Sequence, residues 1–220
     1  MRILNLFAGL GGNRTLWSRT HEVTAIENNE LIANLYRERF PHDVLWVEDV
    51  FEFLLKFNVN KYDFIWASPP CQTHSQMQKF NKGIMPVPKM DEVYGLKIWL
   101  EWNFQGKYVI ENVQPYYKTP IDPTARIDRH CFWANFHIES RRFREKRSGH
   151  GRLEYSHIMR DNKEKLIQIA MLEDVKEHVL KLSKRIGLQI IRNCVDPRIG
   201  KYILDQLTNV ETLENYMTTN

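Results

Sequence analysis

A cysteine stands where an apolar run is cut short. Tyr62 to Ala67 reads as a buried strand, and Ser68-Pro69-Pro70-Cys71-Gln72-Thr73-His74-Ser75 follows it. Neither proline can donate to a ladder, and each restricts the residue before it, so the strand must stop there. Cys71 is then displayed at a strand's carboxyl end, the edge at which open α/β sheets bind ligands. A thiol on a rigid turn at that edge suits a nucleophile. A small buried hydrophobe is the other reading of a free cysteine.

A second candidate has the same address. Lys107 to Ile110 reads as a strand closed by Glu111-Asn112-Val113. In a parallel sheet neighbouring strand ends face one cleft, which would bring Glu111 toward Cys71. A carboxyl partly buried there has a raised pKa and exchanges protons near neutrality; otherwise Glu111 is an ordinary surface carboxylate. A third set resembles a nucleotide cradle. Arg2 to Phe7 reads as a central strand and ends in Ala8-Gly9-Leu10-Gly11-Gly12, with a helix expected from Asn13 or Thr15 to Arg19. Glycines after a strand permit a tight turn and close ligand approach. Glu22 to Ile26 is a second strand, and Glu27 at its end suits ribose hydroxyls. Asp49 either caps the helix Phe51 to Phe57 or holds an adenine amino group, with Val50 against the ring.

The elements that must position these groups follow an alternating order. Helices are expected over Asn29 to Phe40, Asp91 to Phe104, Asp161 to Met171 and Val175 to Lys184, and a last one begins at Pro197 and ends near Leu207. Strands are expected at Val44 to Val47, Arg129 to Ile138 and Gly187 to Arg192. The stretch from Gln76 to Met90 is an irregular loop of the kind that forms lids. The tail from Asn209 is polar and expected to fray. This is the pattern of an α/β protein with a mostly parallel sheet and helices on both faces.

The chain has 220 residues, 43% hydrophobic, enough for a sizeable core. No apolar run reaches membrane-spanning length, and the first residues enter a strand pattern without a signal-peptide core. Three separated cysteines, Cys71, Cys131 and Cys194, fit a reducing compartment and no zinc framework, so no metal is expected. Net charge is only +4, but Arg141, Arg142, Arg144, Lys146, Arg147 and Arg152 cluster against Glu139 and Glu145. One basic segment on a near-neutral chain suggests a polyanion contact.

Three motifs in order, Leu6-Phe7-Ala8-Gly9-Leu10-Gly11-Gly12, Pro70-Cys71-Gln72 and Glu111-Asn112-Val113, resemble the DNA (cytosine-5) methyltransferases. The stretches Ser68 to Ser75 and His130-Cys131-Phe132-Trp133-Ala134-Asn135-Phe136 are most similar to phage-type members. The resemblance implies a Rossmann-like fold dependent on S-adenosylmethionine, with a small C-terminal lobe. Residues 1–138 would be catalytic, 139–186 a reduced target-recognition region, 187–208 a return to the catalytic domain and 209–220 a tail.

It further implies that Cys71 adds to carbon 6 of a cytosine flipped out of the duplex. Glu111 would hold the ring at nitrogen 3 and Asn112 would position the cysteine loop. Phe7, Gly9, Gly11, Gly12, Glu27, Asp49, Val50, Pro70, Asn193 and Val195 would contact the cofactor. Gln72, Ser75, Arg129, His130, Arg141, Arg142 and Arg144 would face double-stranded DNA. The setting implied is cytoplasmic, in a bacterium, phage or prophage.

The chain also departs from the family. Where an Arg-x-Arg pair is usual it has Asp128-Arg129-His130, leaving open whether Arg129 or His130 meets the base. Where Gly-Asn-Ser-Val is usual it has Arg192-Asn193-Cys194-Val195. The short interval from Trp133 to Asn193 leaves little room for base readout, which basic residues alone do not supply. Sequence specificity is then expected to be weak or short, or to be supplied by a protein partner or a homodimer. An RNA cytosine-5 methyltransferase and a catalytically silent DNA-binding subunit are the alternatives.

Overall fold

The computed structural model describes residues 1–75, 87–143 and 163–218. It holds a seven-stranded sheet in the order β3-β2-β1-β4-β5-β7-β6. The strands are β1 (Arg2–Leu6), β2 (Glu22–Ile26), β3 (Val44–Trp46), β4 (Phe64–Ala67), β5 (Lys107–Val113), β6 (Ala125–Ile127) and β7 (His130–Ala134). The first five pair in parallel, and β7 closes antiparallel on β5 and β6. The chain winds outward from β1 through β2 to β3, then crosses back to place β4 on β1's other side. That reversal falls at the carboxyl ends of β1 and β4, the position where such sheets bind ligands.

Contacts divide the chain into two units. The first is Met1–Ala8, Arg19–Glu30 and His42–Arg141; the second is Gly9–Ser18, Leu31–Pro41 and Arg142–Asn220. In the first, period-two alternation splits the strands between two faces. Leu4, Leu6, Ile65, Ala67, Tyr108, Ile110, Cys131 and Trp133 share one face and pack with helix α2 (Val50–Lys56), a π-helical turn (Asp91–Gly95) and helix α3 (Leu96–Asn103). Asn5, Trp66, Val109 and Glu111 lie on the opposite face, all buried.

The second unit packs helix α1 (Glu30–Arg39) from Leu31 onward, α4 (Lys163–Ile169), α5 (Lys176–Lys181) and α6 (Lys184–Asn193) around Leu10, Leu35, Ile167, Leu172, Val179 and Ile191. Its last helix is α7 (Pro197–Thr218). The side chain of Arg39 is 1% exposed and pins the glycine loop. It donates to the Leu10 carbonyl, to Thr15 Oγ1 at 3.1 Å and to the Met171 carbonyl at 3.0 Å, and pairs with Asp174 at 2.9 Å.

Four expectations need correction. Gly187 to Arg192 is not a strand: it lies in α6, whose Ser183 side chain accepts from Ile186 N and so caps the helix. Residues 13 to 19 form successive tight turns rather than a helix, with Arg14 N donating to Gly11 O and Trp17 N to Arg14 O. The tail does not fray at Asn209, because α7 continues to Thr218. Pro115, Pro120 and Pro123 mark a loop in the sequence, yet strand β6 forms directly after them. The lid expectation for residues 76–86 falls outside the described residues, as does the basic segment from Arg144 through residue 162. Among the described residues no helix is long and apolar enough to cross a membrane.

Replacing Arg39 by Met would leave the Leu10 and Met171 carbonyls and Thr15 Oγ1 without their donor. Loss of a buried, multiply bonded guanidinium should cost about 2–4 kcal/mol in urea unfolding. A change below about 0.5 kcal/mol would show that the clamp carries no stability.

Candidate active site

β5 outruns β4. Their parallel ladder ends at Ala67 with Ile110, while β5 continues through Glu111, Asn112 and Val113 by pairing with β7. β7 therefore holds Glu111 in place on one side. On the other side β4 has given way to the Ser68–Ser75 turn. Asn112 spans the gap where the ladder stops: its Nδ2 donates to the Pro69 carbonyl at 2.9 Å, and its Oδ1 accepts from Val113 N at 2.9 Å. The turn itself is closed by His74 N and Ser75 N donating to the Cys71 carbonyl at 3.1 and 3.0 Å. Prolines end the strand as expected, with Pro69 buried and Pro70 and Gln72 exposed.

Glu111 is buried, and desolvation pushes its carboxyl up to about 7. The Ser68 hydroxyl and the Arg129 charge pull the other way, more weakly. Ser68 is itself oriented, because Trp66 Nε1 donates to its Oγ at 2.8 Å. Cys71 is half-buried. Burial raises its thiol pKa, the Glu111 charge raises it further, and Arg129 lowers it. Thiol, carboxyl and guanidinium thus feel one another's charge.

Arg129 sits in the two-residue turn between β6 and β7, which Asp128 enters with φ 53°. Such tight hairpins need a positive φ at the first turn residue, and Asp tolerates it better than most. His130 is buried next to it. Arg129 Nε donates to His130 Nε2 at 3.3 Å. The same nitrogen lies 3.8 Å from Glu111 Oε1. Of the two residues the sequence left open, Arg129 is the cation whose charge acts on both Cys71 and Glu111.

The carboxyl edges of β1, β2 and β3 carry the remaining groups of the first unit. Phe7 leaves β1 with φ 55° and meets Phe51 edge-on at 6.1 Å. Glu27 is buried at the end of β2, and its Oε1 accepts from Asn29 N at 2.9 Å. Asp49 caps α2 through one oxygen, Oδ1, which accepts from Phe51 N and Glu52 N. Its Oδ2 takes no part in the cap. Val50 is buried beneath. A buried carboxylate, an aromatic ring, a second carboxylate oxygen and an apolar floor are a donor set suited to a ribosyl-adenine.

In the second unit the glycines divide by role. A Cβ on Gly9 would meet nothing within 4 Å, so space lies open over that peptide. A Cβ on Gly11 would collide with Phe40 and Tyr36, and one on Gly12 with the Val195 carbonyl. Those two are glycine for packing. Val195 is buried and Asn193 exposed. Arg141 and Arg142 are exposed, Ser75 is half-buried and bridges Pro115, and Arg144 lies outside the described residues. Sequence reading missed Ser68 as a partner of Glu111; nothing in its spacing marks it.

Residues 1–85 match the family model described as C-5 cytosine-specific DNA methylase. A Mus musculus protein named tRNA (cytosine(38)-C(5))-methyltransferase is 30% identical over 121 residues, 52% of this chain and 29% of the relative. The chain therefore spans less than a third of that relative's length. Among solved structures, a Spodoptera frugiperda DNMT2 variant is 25% identical at TM-score 0.36, covering 51% of this chain and 35% of its own. The Entamoeba histolytica methyltransferase EhMeth is 19% identical at TM-score 0.40, covering 67% and 57%.

The burial of Glu111 sets a stability signature. Its folded pKa, about 7, lies above the ordinary carboxyl value of 4.5. The folded state therefore binds this proton more tightly, and stability falls as pH rises from 4.5 to 7. Glu111→Gln removes that loss and should raise stability at pH 8 by about 3 kcal/mol. Urea unfolding at pH 5 and pH 8 checks it; an equal effect at both pH values would contradict the burial penalty.

Proposed function

We propose that this chain is a cytosine-5 methyltransferase acting on DNA, with S-adenosylmethionine as methyl donor. The observation that carries the reading is the placement of Cys71, buried Glu111 and Arg129 at the ends of β4, β5 and the β6–β7 turn, with Asn112 tying β5 to the cysteine turn. Carbon 6 of cytosine is a poor electrophile. It needs a soft nucleophile on one side and a proton on the ring's far edge. Cys71 Sγ supplies the first by forming a bond to carbon 6, which pushes electron density toward carbon 5 and nitrogen 3. Glu111, nearly as ready to hold a proton as to release it at neutral pH, gives the proton at nitrogen 3. Arg129 stabilises charge at the ring's polar edge. Carbon 5 then takes the donor's methyl as the donor's sulfur–methyl bond breaks; the carbon-5 proton leaves to water, nitrogen 3 returns its proton to Glu111, and the bond between Sγ and carbon 6 breaks.

Phe7, Glu27, Asp49 and Val50 would hold the donor, with Glu27 on ribose hydroxyls, Asp49 on the adenine amino group, and Phe7 and Val50 against the ring. The donor supplies an electrophilic methyl carbon. A base inside a stacked duplex is out of reach of Cys71, so the target must be extruded. RNA is the second reading, favoured by the tRNA-methylating name of the Mus musculus relative.

Labelled methyl transfer to duplex DNA and to transfer RNA, assayed side by side, tests the proposal. Incorporation into DNA cytosines is expected, falling more than about a thousandfold in Cys71→Ser. Incorporation into RNA alone would select the second reading, and none in either would reject both. The pH profile gives an independent check. Thiolate plus carboxylic acid carries the same number of protons as thiol plus carboxylate, so kcat/KM should be flat from the Glu111 value of about 7 up to the raised thiol value, falling below that range as a second proton binds and above it as the last one leaves. A rate that rises into acid would contradict the pair.

A further inference from the structure

The nucleophile turn is held from behind by a side chain that the chemistry above does not use. His74 is buried at 2% exposure, three residues after Cys71. Its Nδ1 lies 2.5 Å from Tyr117 Oη. Tyr117 is hydrogen-bonded in turn to Tyr94, which stacks edge-on against Trp133 of β7 at 5.6 Å. The backbone follows the same route: Tyr116 N donates to the His74 carbonyl at 3.2 Å, and Ser75 bridges Pro115. A third strap comes from the other side, where Lys89 N donates to Thr73 Oγ1 at 3.3 Å.

Burial lowers the His74 pKa, more strongly than the Glu92 and Asp91 carboxylates and the Lys89 backbone raise it. The ring is therefore neutral, one hydrogen bond joins its Nδ1 to Tyr117 Oη, and Tyr117 Oη accepts from Tyr94. Each bond in such a chain polarises the next. His74 N also donates to the Cys71 carbonyl. One residue thus grips the nucleophile's own backbone and is itself gripped by the sheet through two tyrosines.

We propose that His74 is a positioning residue for Cys71, acting through Tyr117 and Tyr94 to fix the thiol against Glu111. The proposal rests on the assignment of Cys71 as nucleophile, and its test does not require nucleic acid. Displacing a reacting group by a fraction of an ångström is enough to cost rate, whereas cofactor binding elsewhere on the sheet edge is untouched.

The test uses the full chain and iodoacetamide, reading modification of the Cys71 peptide by mass spectrometry well below the unfolding temperature. His74→Phe keeps a ring but loses the hydrogen-bonding nitrogen; Tyr117→Phe loses the hydroxyl alone; His74→Asn places a side-chain amide near the Nδ1 position. Loosening the turn should expose the thiol. Alkylation is expected to speed up about fivefold in His74→Phe and in Tyr117→Phe, with no further gain in the double variant, because one chain of bonds carries both effects. His74→Asn should stay within about twofold of the parent.

In methyl transfer the first two variants should lose about tenfold in kcat with KM for the donor unchanged. Unchanged alkylation, or additive effects, would overturn the proposal. If His74→Phe does not fold, Tyr117→Phe and His74→Asn carry the test. Alkylation that responds as stated in a chain that methylates nothing would leave the positioning role standing and reject the function instead.

Discussion

A carboxylic acid buried in a β-strand organises this molecule. Water stabilises the charged form of Glu111 poorly at its site, so the carboxyl is held near its point of half-protonation at neutral pH. That condition needs a rigid, dry position, and the sheet supplies it by unequal strand lengths. β5 keeps its ladder to β7 after its ladder to β4 has ended. The vacated edge is where Pro69, Pro70 and Cys71 turn, and Asn112 replaces the missing backbone bond with its side-chain amide. The acid is thereby fixed from one side and the nucleophile tethered on the other.

The two charges near this pair act in opposite senses. Arg129 lowers both pKa values and Glu111 raises that of Cys71. A thiol and a carboxyl that both resist ionisation are poor reagents apart, but together they exchange one proton without changing net charge. That is the balance a nucleophilic addition followed by elimination requires, since the same groups must act in both directions. The glycine loop answers to different constraints. Gly11 and Gly12 are closed in by Phe40, Tyr36 and Val195, and Arg39 fixes the Leu10 carbonyl just before them. Only Gly9 leaves its peptide open. Rigidity of that loop comes from packing within the second unit.

Much of the site was legible in sequence because strand ends are written in strong signals. Two prolines after an apolar run, and an acid after another, mark the edge of a sheet whatever the tertiary detail. Asp49 was legible as a cap for the same reason: an Asp before Val50-Phe51-Glu52 offers its oxygen to free N–H groups. Short apolar runs were less legible. Gly187-Leu188-Gln189-Ile190-Ile191 has the β-branched content of a strand, yet Ser183 caps it as a helix and the second unit buries one side of it. β6 is three residues long after three prolines, and only its partner β7 makes it a strand. Burial of His74 behind the turn, and its Tyr117 and Tyr94 partners, depend on contacts far apart in the chain that no local pattern encodes.

The central claim is that Cys71 becomes covalently joined to a cytosine ring that Glu111 polarises. The most direct measurement is mass spectrometry of the chain after incubation with S-adenosylmethionine and an oligonucleotide carrying 5-fluorocytosine, whose carbon 5 has no proton to lose. The account predicts a stable adduct on the Cys71 peptide, absent in Cys71→Ser and strongly reduced in Glu111→Gln. An adduct on Cys131 or Cys194, or none while both substrates are bound, would contradict it.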